Sequence, residues 1–166
     1  EFIKINSGKS YRLGLELGAL AKVSEQLNLL GNVTFSQNKN RDFKMEGSNS
    51  VDDLGNTTIS FSPSIIANAT IQYKPVKNLQ LNLSNQYVGK QYLDNTETEA
   101  LSLKNYFLSD FNAQYSFKIA KQDVSFQFLL NNVFNKKYIN NGFVYNGPYY
   151  YAQAGRNFMI GMSLKL

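Results

Sequence analysis

Residues 157–166 alternate between apolar side chains and mostly polar or small ones up to the last position of the sequence. The apolar set is Phe158, Ile160, Met162, Leu164 and Leu166, and the positions between hold Asn157, Met159, Gly161, Ser163 and Lys165. Successive side chains of a β-strand point to opposite faces, so a period of two indicates a strand between two different environments. A final strand of this kind is typical of a membrane β-barrel.

The same alternation recurs in six earlier segments, at residues 11–19, 27–35, 64–73, 79–86, 107–117 and 124–131. In the clearest of them, Leu79, Leu81 and Leu83 alternate with Gln80, Asn82 and Ser84. Each segment is close to the roughly 9–11 residues that a tilted transmembrane strand needs. The pattern therefore predicts an all-β chain, a transmembrane antiparallel β-barrel segment with about seven strands.

The overall composition resembles that of a water-soluble protein, with 43% hydrophobic residues and a mean hydropathy of -0.34. A barrel wall exposes only every second residue to lipid, so these values agree with a barrel as well. The polar face carries Asn, Gln, Ser and Thr more than Lys and Glu. This composition favours a face that lines a barrel lumen over the solvated face of a soluble sheet. A soluble β-sandwich binding module is the alternative.

Aromatic side chains lie near the predicted strand ends, where barrels carry two aromatic girdles. They are Phe35, Tyr73, Tyr87, Tyr106, Phe107, Tyr115 and Phe117.

The connections alternate in length, which predicts an orientation. Short connections at 20–26, 74–78 and 118–123 alternate with long ones at 37–62, 89–104 and 135–153. Outer-membrane barrels place short turns in the periplasm and long loops outside the cell, and single-chain barrels have an even number of strands. Residues 2–5 are too few to span the membrane as an eighth strand, and unpaired edges are unfavourable in lipid. We therefore expect the C-terminal part of a larger barrel; a small autonomous structural or adhesive barrel is the alternative.

Four short motifs occur in the same order as in a known protein family and so carry a family resemblance. Residues 131–138 (NNVFNKKY) are similar to "NLF(D/N)xxY", 155–158 (GRNF) to "GRxF", 14–17 (GLEL) to "GxEL", and 86–89 (QYVG) to "YxG". Together they resemble TonB-dependent outer-membrane receptors, and the Asn-, Lys- and Tyr-rich loops resemble receptors of the Bacteroidetes. Val133 stands where the family has Leu. Leu166 replaces the terminal Phe or Trp that the barrel-assembly machinery reads in the C-terminal strand.

The resemblance implies a 22-stranded barrel closed by an N-terminal plug, with active import of a scarce nutrient driven through TonB. An iron-siderophore complex is the expected substrate, and cobalamin, haem or a glycan are alternatives. We expect this chain to supply barrel wall, lumen contacts and extracellular loops, with the plug and the TonB-binding segment lying outside it. The implied location is the outer membrane of a Gram-negative bacterium.

An aromatic-rich segment in the last long loop is the candidate ligand site. The rings offer flat apolar area, and the tyrosines add a polar hydroxyl group. The residues are Phe143, Tyr145, Tyr149, Tyr150 and Tyr151. The alternative is that these rings pack the loop onto its neighbours or join the outer girdle.

Four charged residues are predicted to face the lumen and to pair with one another or with the plug: Arg12, Glu16, Asp110 and Arg156. The alternative is that they hydrate the lumen.

Basic residues flank the predicted loops and contribute to the net charge of +5; they are Lys39, Arg41, Lys44, Lys136 and Lys137. They are candidates to meet lipopolysaccharide phosphates or an anionic chelate, or to form an ordinary solubilising rim. Their dispersal disfavours nucleic-acid binding.

The inventory of reactive side chains disfavours catalysis and metal binding. The chain has no His and no Cys, the usual proton-transfer group and ligands of zinc or haem; haem ligation by Tyr is a formal option. Asp52 and Asp53 are adjacent, but a calcium site needs six or more oxygens. We expect neither enzymatic activity nor a resident cofactor.

Overall fold

The computed structural model describes residues 8–46 and 51–165. The strands are β1 (Lys9–Lys22), β2 (Leu27–Arg41), β3 (Phe43–Glu46), β4 (Val51–Gly55), β5 (Ile65–Val76), β6 (Leu79–Val88), β7 (Gln91–Tyr92), β8 (Ser102–Leu103), β9 (Tyr106–Ile119), β10 (Gln122–Asn131), β11 (Ile139–Val144), β12 (Pro148–Ala152) and β13 (Asn157–Lys165), with a 3₁₀ turn at Glu99–Leu101. The seven predicted segments correspond to β1, β2, β5, β6, β9, β10 and β13, which confirms the predicted strands. The segment at 2–5 and Leu166 lie outside the described residues.

These seven strands form one sheet in chain order, with every neighbour antiparallel. Because the direction alternates, three short turns lie at one end of the sheet, here the turn end, and three long connections at the other, the loop end. In the described residues, no helix has the length and hydropathy needed to cross a membrane.

The register gives the sheet an apolar face and a polar face. Leu83 of β6, for example, lies opposite Ile71 and Phe111, whereas the next residue, Ser84, lies opposite Thr70 and Asp110. Side-chain hydrogen bonds cross the polar face at Asn28–Gln72, Asn32–Asn68, Thr70–Ser84, Asn82–Asn112, Ser125–Ser163 and Asn131–Asn157. Directly opposite polar pairs of this kind add to the backbone ladder of each strand pair.

Aromatic residues lie on the apolar face near both ends of the sheet. At the turn end, the Phe117 ring lies 5.6 Å from that of Tyr115 and 5.9 Å from that of Phe126. At the loop end, Tyr87 of β6 lies opposite Phe107 of β9. This distribution agrees with the two predicted girdles except at Tyr106. That residue adjoins Phe107 and therefore points to the opposite face of the sheet, where its ring lies 4.8 Å from that of Tyr138.

The first hairpin is longer than its alternating pattern predicts. The pairing of β1 with β2 continues through Ser10–Asn40 to Lys9–Arg41, so the first long connection begins at residue 42 instead of 37. The backbone ladder continues there although the side chains are polar on both faces. Each long connection also contains a short hairpin, β3–β4, β7–β8 or β11–β12, which the sequence pattern did not indicate.

Candidate ligand-binding site at the loop end

Three loops cover the loop end: loop A (residues 42–64), loop B (89–105) and loop C (132–156). Most of the buried apolar side chains of the described chain lie in these loops or at their borders, including Phe43, Tyr92, Leu93 and Leu103. Leu103, with 2% of its surface exposed, is the most buried of them. The loops therefore form a packed layer above the sheet.

Loop B is joined to loop A and the end of β2 by the Glu97 carboxylate. It accepts the Thr58 backbone N–H at 2.7 Å and contacts the Lys39 ammonium at 3.3 Å. Nearby, the Asn95 side-chain oxygen accepts the Ser60 N–H at 2.8 Å. Partial burial opposes ionisation of Glu97, but the hydrogen bonds from Thr58 and Lys39 outweigh it and lower its pKa below the ordinary value.

Within loop B, a second acidic side chain is held by two partners. The Glu99 carboxylate contacts the Lys90 ammonium at 2.6 Å and accepts the Tyr92 hydroxyl at 3.1 Å. The Lys90 ammonium also lies 4.7 Å from the centre of the Tyr92 ring. The hydrogen bond between Glu99 and Lys90 is the main cause that raises the pKa of Lys90 and lowers the pKa of Glu99. The carboxylates of Glu97 and Glu99 are thus both ionised and paired with a lysine at neutral pH.

Loop C carries the predicted aromatic site on the β11–β12 hairpin. The Phe143 ring stacks on that of Tyr149, with centroids 4.9 Å apart and planes 9° from parallel, and lies 6.0 Å from that of Tyr151. All three side chains remain substantially exposed, so they form an open aromatic platform. Tyr145 lies in the turn that connects the two strands.

Tyr150 points to the other side of this hairpin, where loop C packs against loop B. Its hydroxyl donates to the Ala100 carbonyl at 3.1 Å. Gly142, its partner across the hairpin, has no room for a side chain: a Cβ there would collide with the Tyr149 carbonyl and lie 3.1 Å from a Leu93 methyl carbon. The absence of a side chain at Gly142 therefore lets the hairpin approach loop B.

A cleft of about 830 Å³ lies between loops B and C. Its lining includes three lysines and two tyrosines, namely Lys104, Lys136, Lys137, Tyr138 and Tyr150. Of the five aromatic residues predicted to bind a ligand, Tyr150 is the one that lines it; the stacked platform lies apart. Sequence reasoning noted Lys136 and Lys137 for their charge and Tyr138 as the last residue of the NNVFNKKY motif, but it gave Tyr138 no role at a ligand site. It missed Lys104 because no local pattern marks that residue.

The four charges predicted to face the lumen are not brought together. Arg12 donates to the Asn38 side chain at 3.5 Å and to the Ser62 hydroxyl at 3.4 Å. Glu16 lies opposite Thr34, and Arg156 precedes the first residue of β13. In residues 8–46 and 51–165, no ion pair joins any two of the four. Their contact with a plug stays a prediction.

The fourth of these charges, Asp110, helps to fix the start of loop C. Its carboxylate accepts the Asn132 N–H at 2.7 Å. The buried Asn132 side chain accepts the Lys136 N–H at 2.8 Å and donates to the Lys136 and Ala154 carbonyls. The NNVFNKKY motif therefore encodes a fixed corner, although sequence reasoning gave Asn132 no role.

The second motif of the last loop meets this corner. The Asn135 side-chain oxygen accepts the Arg156 N–H at 2.9 Å. A Cβ at Gly155 would lie 2.8 Å from that oxygen, so a glycine fits best there. The two motifs, about twenty residues apart, are thus one contact in the fold.

The described residues contain no group of three or more His, Cys, Asp or Glu side chains able to hold a metal ion. The Asp53 carboxylate accepts the Gly55 N–H at 3.0 Å and shapes the β4 end of loop A.

Residues 2–133 match the family described as TonB dependent receptor-like, beta-barrel. The chain is 27% identical over 156 residues to the ferrioxamine receptor of Yersinia enterocolitica, which covers 92% of this chain and 20% of that protein. It resembles the siderophore receptor PiuA of Acinetobacter baumannii (TM-score 0.75, 23% identity, 93% of this chain and 22% of that one). It also resembles the ferric yersiniabactin uptake receptor FyuA of Yersinia pestis (TM-score 0.69, 20% identity, 95% and 24%).

The chain spans about a fifth of the length of these relatives, and the solved structures share its fold. The resemblance inferred from the four motifs is confirmed, whereas the Bacteroidetes-like character of the loops stays a prediction. The antiparallel sheet, the order of its strands and the match over residues 2–133 lead to one conclusion: the chain belongs to the TonB-dependent receptor β-barrel family.

Proposed function

We propose that this chain forms seven strands and three extracellular loops of a TonB-dependent receptor that imports an iron-siderophore complex across the outer membrane of a Gram-negative bacterium. The observation that carries the proposal is the cleft between loops B and C, in a chain whose relatives include receptors for iron chelates. Its volume of about 830 Å³ lies within the usual range of small-molecule sites, roughly 300–1,000 Å³.

The charge of the cleft favours a chelate with net negative charge. Lys104, Lys136 and Lys137 line it, and none of them forms an ion pair with a described residue. Uncompensated cations at the mouth of a site raise the local concentration of an anionic ligand and its rate of association. Tyr138 and Tyr150 add apolar surface with hydroxyl groups for orientation.

The other partners follow from the same proposal. The apolar face contacts lipid, the polar face lines the lumen, and Arg12, Glu16 and Asp110 contact a plug supplied by another part of the receptor. Arg156 would reach the plug from the loop end. TonB acts on that other part, and the barrel-assembly machinery reads β13. The relatives are receptors, and we propose no catalytic step.

The test uses the full-length receptor with Lys104→Gln and Lys137→Gln combined. Two exposed charges of this kind contribute up to about 1 kcal/mol each, so we expect binding of an anionic ferric siderophore to weaken by about tenfold or more. Radioiron uptake under iron starvation should fall in parallel. Lys44→Gln in β3, which is exposed and does not line the cleft, is the matched control. Unchanged binding in the double variant would contradict the proposal.

A glycan importer is the second candidate, because the platform of Phe143, Tyr149 and Tyr151 offers stacked rings on an exposed face. Flat aromatic surface suits the apolar face of a sugar ring. Induction of the receptor by a glycan and not by iron starvation, together with loss of growth on that glycan in Tyr149→Ala, would favour this candidate.

A further inference from the structure

A second groove, of about 450 Å³, lies at the loop end of the apolar face. It is lined by Tyr87, Asn105, Tyr106, Phe107, Phe134 and Lys136. Tyr87 and Phe107 lie opposite each other on β6 and β9 and belong to the apolar face. One wall of the groove is therefore continuous with the surface that faces lipid.

Phe134 is the unusual member of this set. It lies beyond the end of β10, in a loop, with 72% of its surface exposed. Its backbone position is nevertheless fixed, because its neighbours Asn132 and Asn135 hold the corner through the hydrogen bonds described above. An exposed phenylalanine on such a fixed segment, at the end of a membrane strand, suits the boundary between acyl chains and headgroups.

The rim of the groove carries positive charge without a compensating carboxylate. Glu97 and Glu99, the two glutamates of loop B, are engaged by Lys39 and Lys90. Lys136 forms no ion pair with any residue in the described ranges. The groove thus combines an aromatic wall on the membrane side with an uncompensated ammonium at its rim.

We infer that this groove binds lipid A, the phosphorylated and acylated glucosamine lipid of lipopolysaccharide. Lys136 meets a phosphate, and an acyl chain lies against Phe134 and the pair Tyr87–Phe107. The Asn105 side chain donates to the Tyr87 hydroxyl at 3.2 Å and so holds one ring of the wall in place. The inference rests on the proposed location of the receptor in the outer membrane.

The experiment adds bisphosphorylated lipid A to the full-length receptor in detergent and measures bound lipid by native mass spectrometry. Phe134→Ser removes the exposed apolar contact, and we expect about tenfold weaker binding. Lys136→Gln should weaken binding about fivefold and abolish the preference for bisphosphorylated over dephosphorylated lipid A. Phe61→Ser, an exposed loop phenylalanine outside the groove, and Lys121→Gln, at the turn end, are the matched controls and should bind like the unmodified receptor.

Three results would overturn the inference: unchanged binding in both groove variants, equal binding of dephosphorylated lipid A, or complete displacement of lipid A by inorganic phosphate. Radioiron uptake separates this inference from the proposed function. Phe134→Ser should keep uptake of the ferric siderophore while losing lipid A, and Lys104→Gln should do the reverse. Absent uptake by the unmodified receptor would reject the proposed function while the lipid result is read independently.

Discussion

The seven-stranded sheet and the loop layer above it differ in the exposure of their large apolar side chains. On the sheet, large apolar side chains are left open, with Leu13 at 68% exposure and Ile160 at 72%. In the loops, Leu103 is 2% exposed and Phe43, Tyr92 and Leu93 are buried as well. A single sheet with an open apolar face is unfavourable in water, whereas the loop layer buries a small apolar cluster of the kind found inside a water-soluble protein. The boundary between the two regions therefore marks a change of solvent.

The polar contacts differ in the same way. Across the polar face of the sheet, hydrogen bonds join residues that lie directly opposite in the register, such as Asn32 and Asn68. In the loops, side chains reach the backbone of another loop, as Glu97 does with Thr58 and Asn95 with Ser60. The sheet repeats one local rule, while the loop layer depends on individual contacts between segments distant in sequence.

A charge placed on the apolar face should have the largest effect. Leu83→Arg places a guanidinium near the middle of β6, opposite Ile71 and Phe111, and we expect a loss of about 2–4 kcal/mol in the free energy of unfolding. Ser84→Arg, one residue further, points to the polar face beside Asp110 and should cost less than about 1 kcal/mol. Urea titration of the full-length receptor refolded into phospholipid vesicles measures both. Equal losses would show that the two faces do not meet different solvents.

A cavity in the loop layer should have a smaller and local effect. Leu103→Ala removes one of the most buried side chains of the chain, and we expect about 2 kcal/mol of lost local stability in loops B and C. Hydrogen exchange of the full-length receptor should show faster exchange there, with the amides of β6 and β9 unchanged.

The matched control is Leu20→Ala near the turn end, where the side chain is 70% exposed; it should leave loop exchange unaltered. Uniformly faster exchange of the sheet amides in Leu103→Ala would mean that the loop layer and the sheet unfold as one unit.

The sheet could be predicted from the sequence more completely than the loop layer. Period-two alternation is local, so all seven strands and the order of their connections follow from it. The NNVFNKKY and GRNF motifs identified the family, but their contact through Asn135 and Arg156 is visible only in the fold. The aromatic segment of loop C was recognised from the sequence, but its residues divide between the exposed platform and the cleft. Tyr149, Tyr150 and Tyr151 are consecutive in β12, so Tyr150 points to the opposite face of the hairpin from the other two.

The joint between loops A and B shows why the remaining contacts escaped prediction. Glu97 adopts a left-handed backbone conformation, with φ of 59°, which few non-glycine residues do. That conformation brings its carboxylate to a backbone N–H 39 positions away in sequence. Neither the conformation nor the partner has a periodic signature, since both depend on the packed arrangement of two loops.

The smallest expected effect concerns the protonation of this joint. The pKa of Glu97 is lower in the folded chain than its ordinary value of 4.5. The contribution of its ionised carboxylate to the stability of the folded chain is therefore complete above pH 4.5 and is lost as the pH falls through the lowered folded pKa. We expect Glu97→Gln to speed amide exchange at Thr58 by about fivefold or less at neutral pH, a cost of at most about 1 kcal/mol for a partly exposed pair. At a pH below the lowered pKa of Glu97 in the folded chain, the unmodified receptor and the variant should exchange alike, because both then carry a neutral side chain. Glu25→Gln at the turn end, whose ion pair with Lys22 is highly exposed, should leave Thr58 unaffected at every pH. A difference between Glu97→Gln and the unmodified receptor that persists in acid would mean that side-chain shape, and not charge, joins the two loops.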